Sequence, residues 1–426
     1  MKHKLILSLC ALCMAGSALA QQEQVKTGWV FTPLPNLGYS TDTGVTLGVM
    51  SDFFYYGDGS VYPNFLHHLG VVVGYSTKGA WYIHSCFESP ALIDWARVNA
   101  TFTYRDAMVN NFYGFNGITS PYFPELDANP ETATAWYTNQ RRNLRISASV
   151  IGDIAGDLSW MGGLVFRHTQ HDTFHLDRYN PDNTLFMEYA RKGLIREDEL
   201  HGGSSLELKA GFTYDSRDIE RNPGKGMFAE LYLLSNFDTK YGKYNYGQLV
   251  AHFRHYLTLV PERVVFAYHL GLQHQIWGEM PYYNLNELAT TFYPFEEYDG
   301  LGSRVSVRGI RYNRLAAAGY AWSNFEFRVT PFAFHAFRQD FKVVLNPFVD
   351  LAAITRTYRL AEQMAVVPTD PSRPLYQDRK LPVMVAPGMG AKLIMNTNFM
   401  MSIDVGRALD PQISDWTIGM ASTYVF

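Results

Sequence analysis

Cysteine is nearly missing from this chain of 426 residues, which has three. Two of them, Cys10 and Cys13, lie in an apolar run that follows Lys2 and Lys4 and ends in Ala18-Leu19-Ala20, the layout of a secretory signal peptide over residues 1–20. The expected mature chain keeps Cys86 alone, which excludes an internal disulfide and a thiolate metal cage. Long apolar runs are missing too: past the leader no stretch of about eighteen residues is uninterrupted, so no spanning helix is expected. Charge is sparse, with 18% Asp, Glu, Lys and Arg against about a quarter in ordinary domains. The net charge of -4 gives no reason to expect a nucleic-acid partner. No Ser/Pro linker or charge run divides the chain, so residues 21–28 read as a short lead-in and 29–426 as one unit.

Aromatic residues are what the chain has in quantity, 15% in all with 28 Tyr and 28 Phe. Such a composition fits a protein that shows much apolar and amphipathic surface to a membrane. The pattern has a period of two. Leu206, Leu208, Ala210, Phe212 and Tyr214 alternate with Glu207, Lys209, Gly211, Thr213, Asp215 and Arg217. Phe325, Phe327 and Val329 alternate with Asn324, Glu326 and Arg328. Phe341, Val343, Leu345, Val349 and Leu351 oppose Lys342, Asn346 and Asp350, and Phe399, Met401, Ile403 and Val405 oppose Asn398, Ser402 and Asp404.

Alternation alone also fits a soluble sandwich. Segment length and loop parity separate the two. Roughly sixteen segments of about ten residues can be placed, starting near 29, 44, 64, 80, 94, 139, 157, 205, 226, 244, 262, 318, 340, 383, 398 and 414, longer than soluble strands. The long gaps, 107–138, 172–204, 277–316 and 354–382, all follow odd-numbered segments. Long loops at one end and tight turns at the other predict an all-β, closed antiparallel transmembrane barrel of about sixteen strands in the bacterial outer membrane. Trp416, Ile418, Met420, Tyr424 and Phe426 share one parity, as expected of a closing strand that faces lipid and ends on an aromatic residue.

Four stretches carry a resemblance. "VRGI" (Val307, Arg308, Gly309, Ile310) falls between the eleventh and twelfth segments; "GFTYDSRDIERNPGKG" spans 211–226; "NFEFR" spans 324–328; "PFVDLA" spans 347–352. Together they resemble the BamA and TamA superfamily of outer-membrane barrels, of the bacterial surface antigen type, over nearly the whole mature chain. The resemblance implies that the sixth extracellular loop, between the eleventh and twelfth segments, folds back into the lumen and that Arg308 pairs with Asp350, which parity puts on the inward face. There the guanidinium offers a carboxylate two parallel donors, which lysine cannot, and Gly309 allows a positive φ against the wall. Asp215, Arg217, Glu326 and Arg328 are expected in a polar lumen network, and Tyr424 and Phe426 in a carboxy-terminal insertion signal. The implied role is assisting insertion or export of outer-membrane or surface proteins. Its partners would be outer-membrane lipid, with other outer-membrane proteins or periplasmic chaperones as clients or helpers. The alternative is a transport pore or structural surface barrel without insertase activity. Ile310 stands where the family carries an aromatic, and residues 21–28 leave no room for the family's periplasmic polypeptide-transport (POTRA) domains.

No enzymatic role, cofactor or metal is expected. His168, His171 and His175 are tempting as a metal cluster, but on a strand the first two face opposite ways and no cysteine joins them. Ser204 and Ser205 beside His201 lack a placed acid and oxyanion donors. "PGMG" (387–390) reads as tight curvature of a barrel wall.

Overall fold

The structure, a computed structural model, describes residues 25–40, 43–62, 64–127, 135–173, 182–219, 222–290, 300–302, 306–336, 339–395, 399–421 and 424–426. Sixteen strands follow one another: β1 (Trp29–Ser40), β2 (Gly44–Tyr55), β3 (His67–Ser76), β4 (Ala80–Ile93), β5 (Ala96–Asn111), β6 (Thr138–Ala155), β7 (Leu158–Asp172) and β8 (Gly202–Asp215) make the first half. The second half is β9 (Gly226–Asp238), β10 (Tyr246–Val260), β11 (Val264–Gly278), β12 (Gly319–Ala336), β13 (Gln339–Arg356), β14 (Met384–Met395), β15 (Phe399–Gly406) and β16 (Thr417–Ala421). Each pairs antiparallel with its chain neighbours, and β1 meets β16, so the sheet closes into an all-β barrel. Every start predicted from the period of two lies within three residues of the observed one. A ring of paired strands is what hydrocarbon demands, because an unpaired peptide group there costs several kcal/mol.

The two faces differ as the parity predicts. On β8, Leu206, Leu208 and Phe212 are exposed while Glu207, Lys209 and Thr213 are buried. On β1 and β2 the outward set is Trp29, Phe31, Leu37, Tyr39, Val45, Leu47 and Val49. Inward positions on β12 to β15 hold Asn324, Glu326, Arg328, Asn346, Asp350, Lys392 and Asp404, all buried.

The long connections, 112–137, 173–201, 279–318 and 357–383, all follow odd-numbered strands. Those after even-numbered strands are tight, except 56–66 and 216–225. At the long-loop end the excursions pack on one another. They carry two short helices, α1 (Leu185–Arg191) and α2 (Leu360–Ala365), and an apolar cluster that includes Phe112, Phe115, Trp136, Phe186, Tyr189, Tyr282 and Tyr358. Asn116 ties three of them: its N–H donates to Ala316 O at 2.6 Å, and its side-chain amide to Tyr358 O at 2.8 Å and Gln363 Oε1 at 2.9 Å.

The ring is uneven. β1 matches β2 at every position from Trp29↔Tyr55 to Ser40↔Gly44. Among the described residues β1 and β16 share one Cα pair, Ser40 with Gly419, near the long-loop end.

Candidate functional site

Two stretches of the 279–318 connection meet the inward side chains of the wall. In the second, Arg308 makes the bonds its chemistry predicts. Its backbone N–H and Nε donate to Asp350 Oδ2 at 2.7 and 3.0 Å, and Nη2 donates to Asp350 Oδ1 at 2.9 Å, a bidentate fork. Nη1 donates to Glu326 Oε2 at 2.8 Å and more weakly to Asp404 Oδ1 at 3.4 Å. The guanidinium carbon stands 3.6 Å from the centroid of Phe348, a stacking that strengthens once water is excluded. Burial alone would lower the pKa of Arg308; Asp350 and Glu326 reverse this and hold it above its ordinary value.

Gly309 has φ of +83°, and a Cβ there would lie 2.7 Å from Arg407 N and 3.0 Å from the Ala386 methyl. The position therefore excludes any side chain on two counts. Its N–H donates to Thr417 Oγ1 at 3.0 Å, and its carbonyl accepts from Ala408 N at 3.0 Å. Val307 and Ile310 are fully buried with Leu315, Trp322, Ala352 and Ala386. Ile310 thus fills an apolar pocket, and the ring against Arg308 comes from β13.

The polar residues around Arg308 balance in sign. Arg328 Nε donates to Glu326 Oε1 at 2.8 Å, and Lys392 Nζ lies 3.4 Å from Asp404 Oδ2, so Arg308, Arg328 and Lys392 face Glu326, Asp350 and Asp404. Asp215, expected in this network, is the last residue of β8, and Arg217, also expected there, lies two residues beyond it. They form their own pair (Nε to Oδ1 2.8 Å, Nη2 to Oδ2 2.6 Å), with Asp215 41% exposed. At the end of the strand the Asp215 carboxylate reaches water, while the Arg217 side chain, 3% exposed, lies with its guanidinium carbon 4.8 Å from the Phe228 ring centroid. Arg328 does reach the neighbouring turn, donating to Pro223 O at 3.2 Å.

Tyr424 and Phe426 depart from the parity reading. Trp416 and Ile418 are exposed, whereas Tyr424 and Phe426 are buried. The Arg328 guanidinium lies 3.5 Å from the Tyr424 ring centroid and donates to Phe426 O at 3.0 Å. The Phe426 ring lies against His269 and Tyr256, on the inner faces of β11 and β10. The attraction of a buried cation for two aromatic faces, and of its N–H for a carbonyl, outweighs the alternation that would keep these rings outside.

The first stretch, 284–290, was not legible beforehand. Glu287 pairs with Arg141 and, at 3.3 Å, with Arg167. Gln273 Nε2 donates to Glu287 O at 2.7 Å and its Oε1 accepts from Ala289 N at 2.8 Å, while Thr290 Oγ1 donates to Glu230 Oε1 at 2.6 Å. A run of contacts joins the two stretches: Ser306 O accepts from Asn324 Nδ2, Asn324 Oδ1 lies 3.0 Å from His269, His269 lies 3.0 Å from His252, and His252 Nε2 lies 3.0 Å from Ala289 O. Nothing in a loop's own spacing announces such partners, although the excess of inward arginines on β6 and β7 was a signal that carboxylates had to come from elsewhere.

Other candidates resolve simply. His168 is exposed and bonds Ser204 across the outer face, while His171 is buried and bonds Asn139; His175 lies outside the described residues, as does the leader. Gly388, read as curvature, gives room to a ring: a Cβ there would sit 2.1 Å from Phe348 Cζ.

An all-β closed cylinder that turns apolar side chains outward and buries paired ions inward is a membrane-spanning barrel. A family model described as an Omp85 superfamily domain matches residues 67–399, and the chain belongs to the Omp85 superfamily. Barrels of that superfamily reside in the bacterial outer membrane. Among solved structures the chain is similar to BamA from Haemophilus ducreyi lacking POTRA domains 1–3, at 15% identity and a TM-score of 0.55, covering 94% of this chain and 71% of that one. It is also similar to CdiB from Escherichia coli at 13% identity and a TM-score of 0.51, covering 94% of this chain and 63% of that one, under two thirds of its length. At such identities the likeness establishes the fold. No curated protein matches the chain.

Proposed function

We propose that this barrel assists the insertion or export of outer-membrane or surface proteins, with the junction of β1 and β16 as its working part. The observation that carries this reading is the weakness of that junction, one Cα pair among the described residues where every other neighbour shares a longer ladder. A sheet that is continuous everywhere else opens first where its backbone pairing is least. In this reading the outer membrane is the protein's own location, residues 1–20 are its export leader and 21–28 its lead-in. Val307, Arg308, Gly309, Ile310 and Asp350 act as a latch that keeps the sixth extracellular loop, 279–318, in the lumen. Glu326 and Arg328 support that latch, and Tyr424 and Phe426 belong to an address read during the barrel's own insertion. Lipid is its solvent, and other outer-membrane proteins or periplasmic chaperones are its clients or helpers.

Depletion of the protein in its native bacterium, followed by quantitative profiling of the outer membrane, tests the reading. Selective loss of a set of outer-membrane or surface proteins is expected. An unchanged profile, with small-solute uptake impaired instead, would replace it by the transport-pore alternative.

A further inference from the structure

β1 carries two prolines, Pro33 and Pro35, in the strand that lines the weak junction. Which edge they occupy follows from the hydrogen bonds at the strand's foot. Gly28 N–H donates to Gly57 O at 2.8 Å and Gly28 O accepts from Tyr56 N at 2.9 Å, so even-numbered residues of this strand aim their backbone groups at β2. The far side of β2 agrees: Val45 O accepts from Thr77 N and Tyr55 O from Leu66 N, so odd-numbered residues there aim at β3. The register pairs even with even and odd with odd, Pro33 with Ser51 and Pro35 with Val49. Odd residues of β1, Pro33 and Pro35 among them, therefore turn their backbone groups to the junction with β16.

Proline has no N–H, so this edge offers two successive positions with a carbonyl and no donor. The ladder to β2 does not notice them, which is why two prolines are tolerated in a strand paired along its whole length. A strand laid along the open edge would find donors at Leu37 and Tyr39 but would leave two of its own carbonyls facing pyrrolidine rings inside hydrocarbon. Among the described residues the one pair to β16, at Ser40, lies on the long-loop side of the prolines.

We propose that Pro33 and Pro35 set the specificity of the junction: they confine strand addition to the Leu37–Ser40 end of β1. What the junction accepts is then a polypeptide held by a short extended segment near the long-loop end, and a strand paired over the full height of the wall is refused. The bearing on clients rests on the assembly reading above; the edge itself does not.

The test uses the purified full barrel in detergent, with photoreactive benzoylphenylalanine replacing either Phe31 or Tyr39, both outward aromatics flanking the prolines. The probe is a biotinylated peptide of the chain's own residues 412–426. Adducts are expected at position 39 and, with two hydrogen bonds missing, at least about tenfold fewer at position 31. In P33V/P35V the yield at position 31 should rise to that at 39, with P33V and P35V singly giving intermediate gains if the double variant fails to show the wild-type unboiled gel migration. Equal wild-type yields at both positions, no gain at position 31 in any folded variant, or no adduct at either position would overturn the proposal. Because no cell is involved, its failure leaves the depletion result standing, and an unchanged outer-membrane profile leaves the edge assignment standing.

Discussion

Arg308 concentrates more bonding than any other residue described at this site, and its environment decides what removing it does. Asp350 and Glu326 are both fully buried, so Arg308→Ala leaves Asp350 without the guanidinium that forks onto it and Glu326 with Arg328 alone. Breaking one partner out of such a buried pair costs about 3–5 kcal/mol. The temperature at which the unboiled, fast-migrating form is lost should therefore fall clearly in Arg308→Ala. Arg308→Lys should recover only part of the loss, because one ammonium cannot meet both oxygens of Asp350 and Glu326 in one plane. A wild-type melting temperature in Arg308→Ala would remove the latch from the functional reading. The pair itself was legible: parity places Asp350 inward, and "VRGI" resembles a known tip. Its surroundings were not, because Phe348 has the same parity as Asp350 and looks, in sequence, like one more core ring. Only the packing shows it as the stacking face of the guanidinium, with Gly388 cleared for it.

Among the strands, periodicity recovered existence and order well because a half-lipid, half-lumen wall forces strict alternation over ten or more residues. It failed where another force competes. Tyr424 and Phe426 share the parity of the outward Trp416 and Ile418, yet both turn inward to Arg328. The partner lies on β12, far away in sequence, so no local pattern could name it. The same fact gives a prediction. In Arg328→Ala the carbonyl of Phe426 loses its donor and the Tyr424 ring its cation, and a cysteine at Val425, on a Cys86→Ser background, should become several-fold more reactive to a soluble maleimide. Arg328→Lys should restore part of the protection. Unchanged labelling in Arg328→Ala would mean that the packing of Phe426 against Tyr256 and His269 suffices without the cation.

For the whole molecule the decisive matter is whether the cylinder is open from end to end, and here the long excursions act as one body. Arg314, 1% exposed, shows how they are joined: Nη1 donates to Gly117 O at 2.7 Å, and Nη2 to Ser120 O at 2.9 Å and Gln412 O at 2.8 Å. One side chain of the 279–318 connection thus ties together the 112–137 and 407–416 connections through backbone oxygens, each bond of a charged donor contributing about 1.5–3 kcal/mol. Glu287 with Arg141 and Arg167, on β6 and β7, and Arg308 with Asp350, on β13, hold the same connection to two separate stretches of wall. A barrel whose 279–318 connection is bonded both to its neighbouring connections and to inward residues of the wall should conduct ions poorly. Reconstituted in a planar bilayer, the wild-type protein is expected to give rare, brief openings, and Arg314→Ala to lengthen them. Combining Arg314→Ala with Glu287→Gln should give more than the sum of the two, because each tie alone still limits how far the connection can move. Large steady wild-type conductance, indifferent to both substitutions, would mean that these ties leave a continuous aqueous path beside them, and a passive pore would then explain the molecule better than an assembly barrel whose route runs through its weak junction.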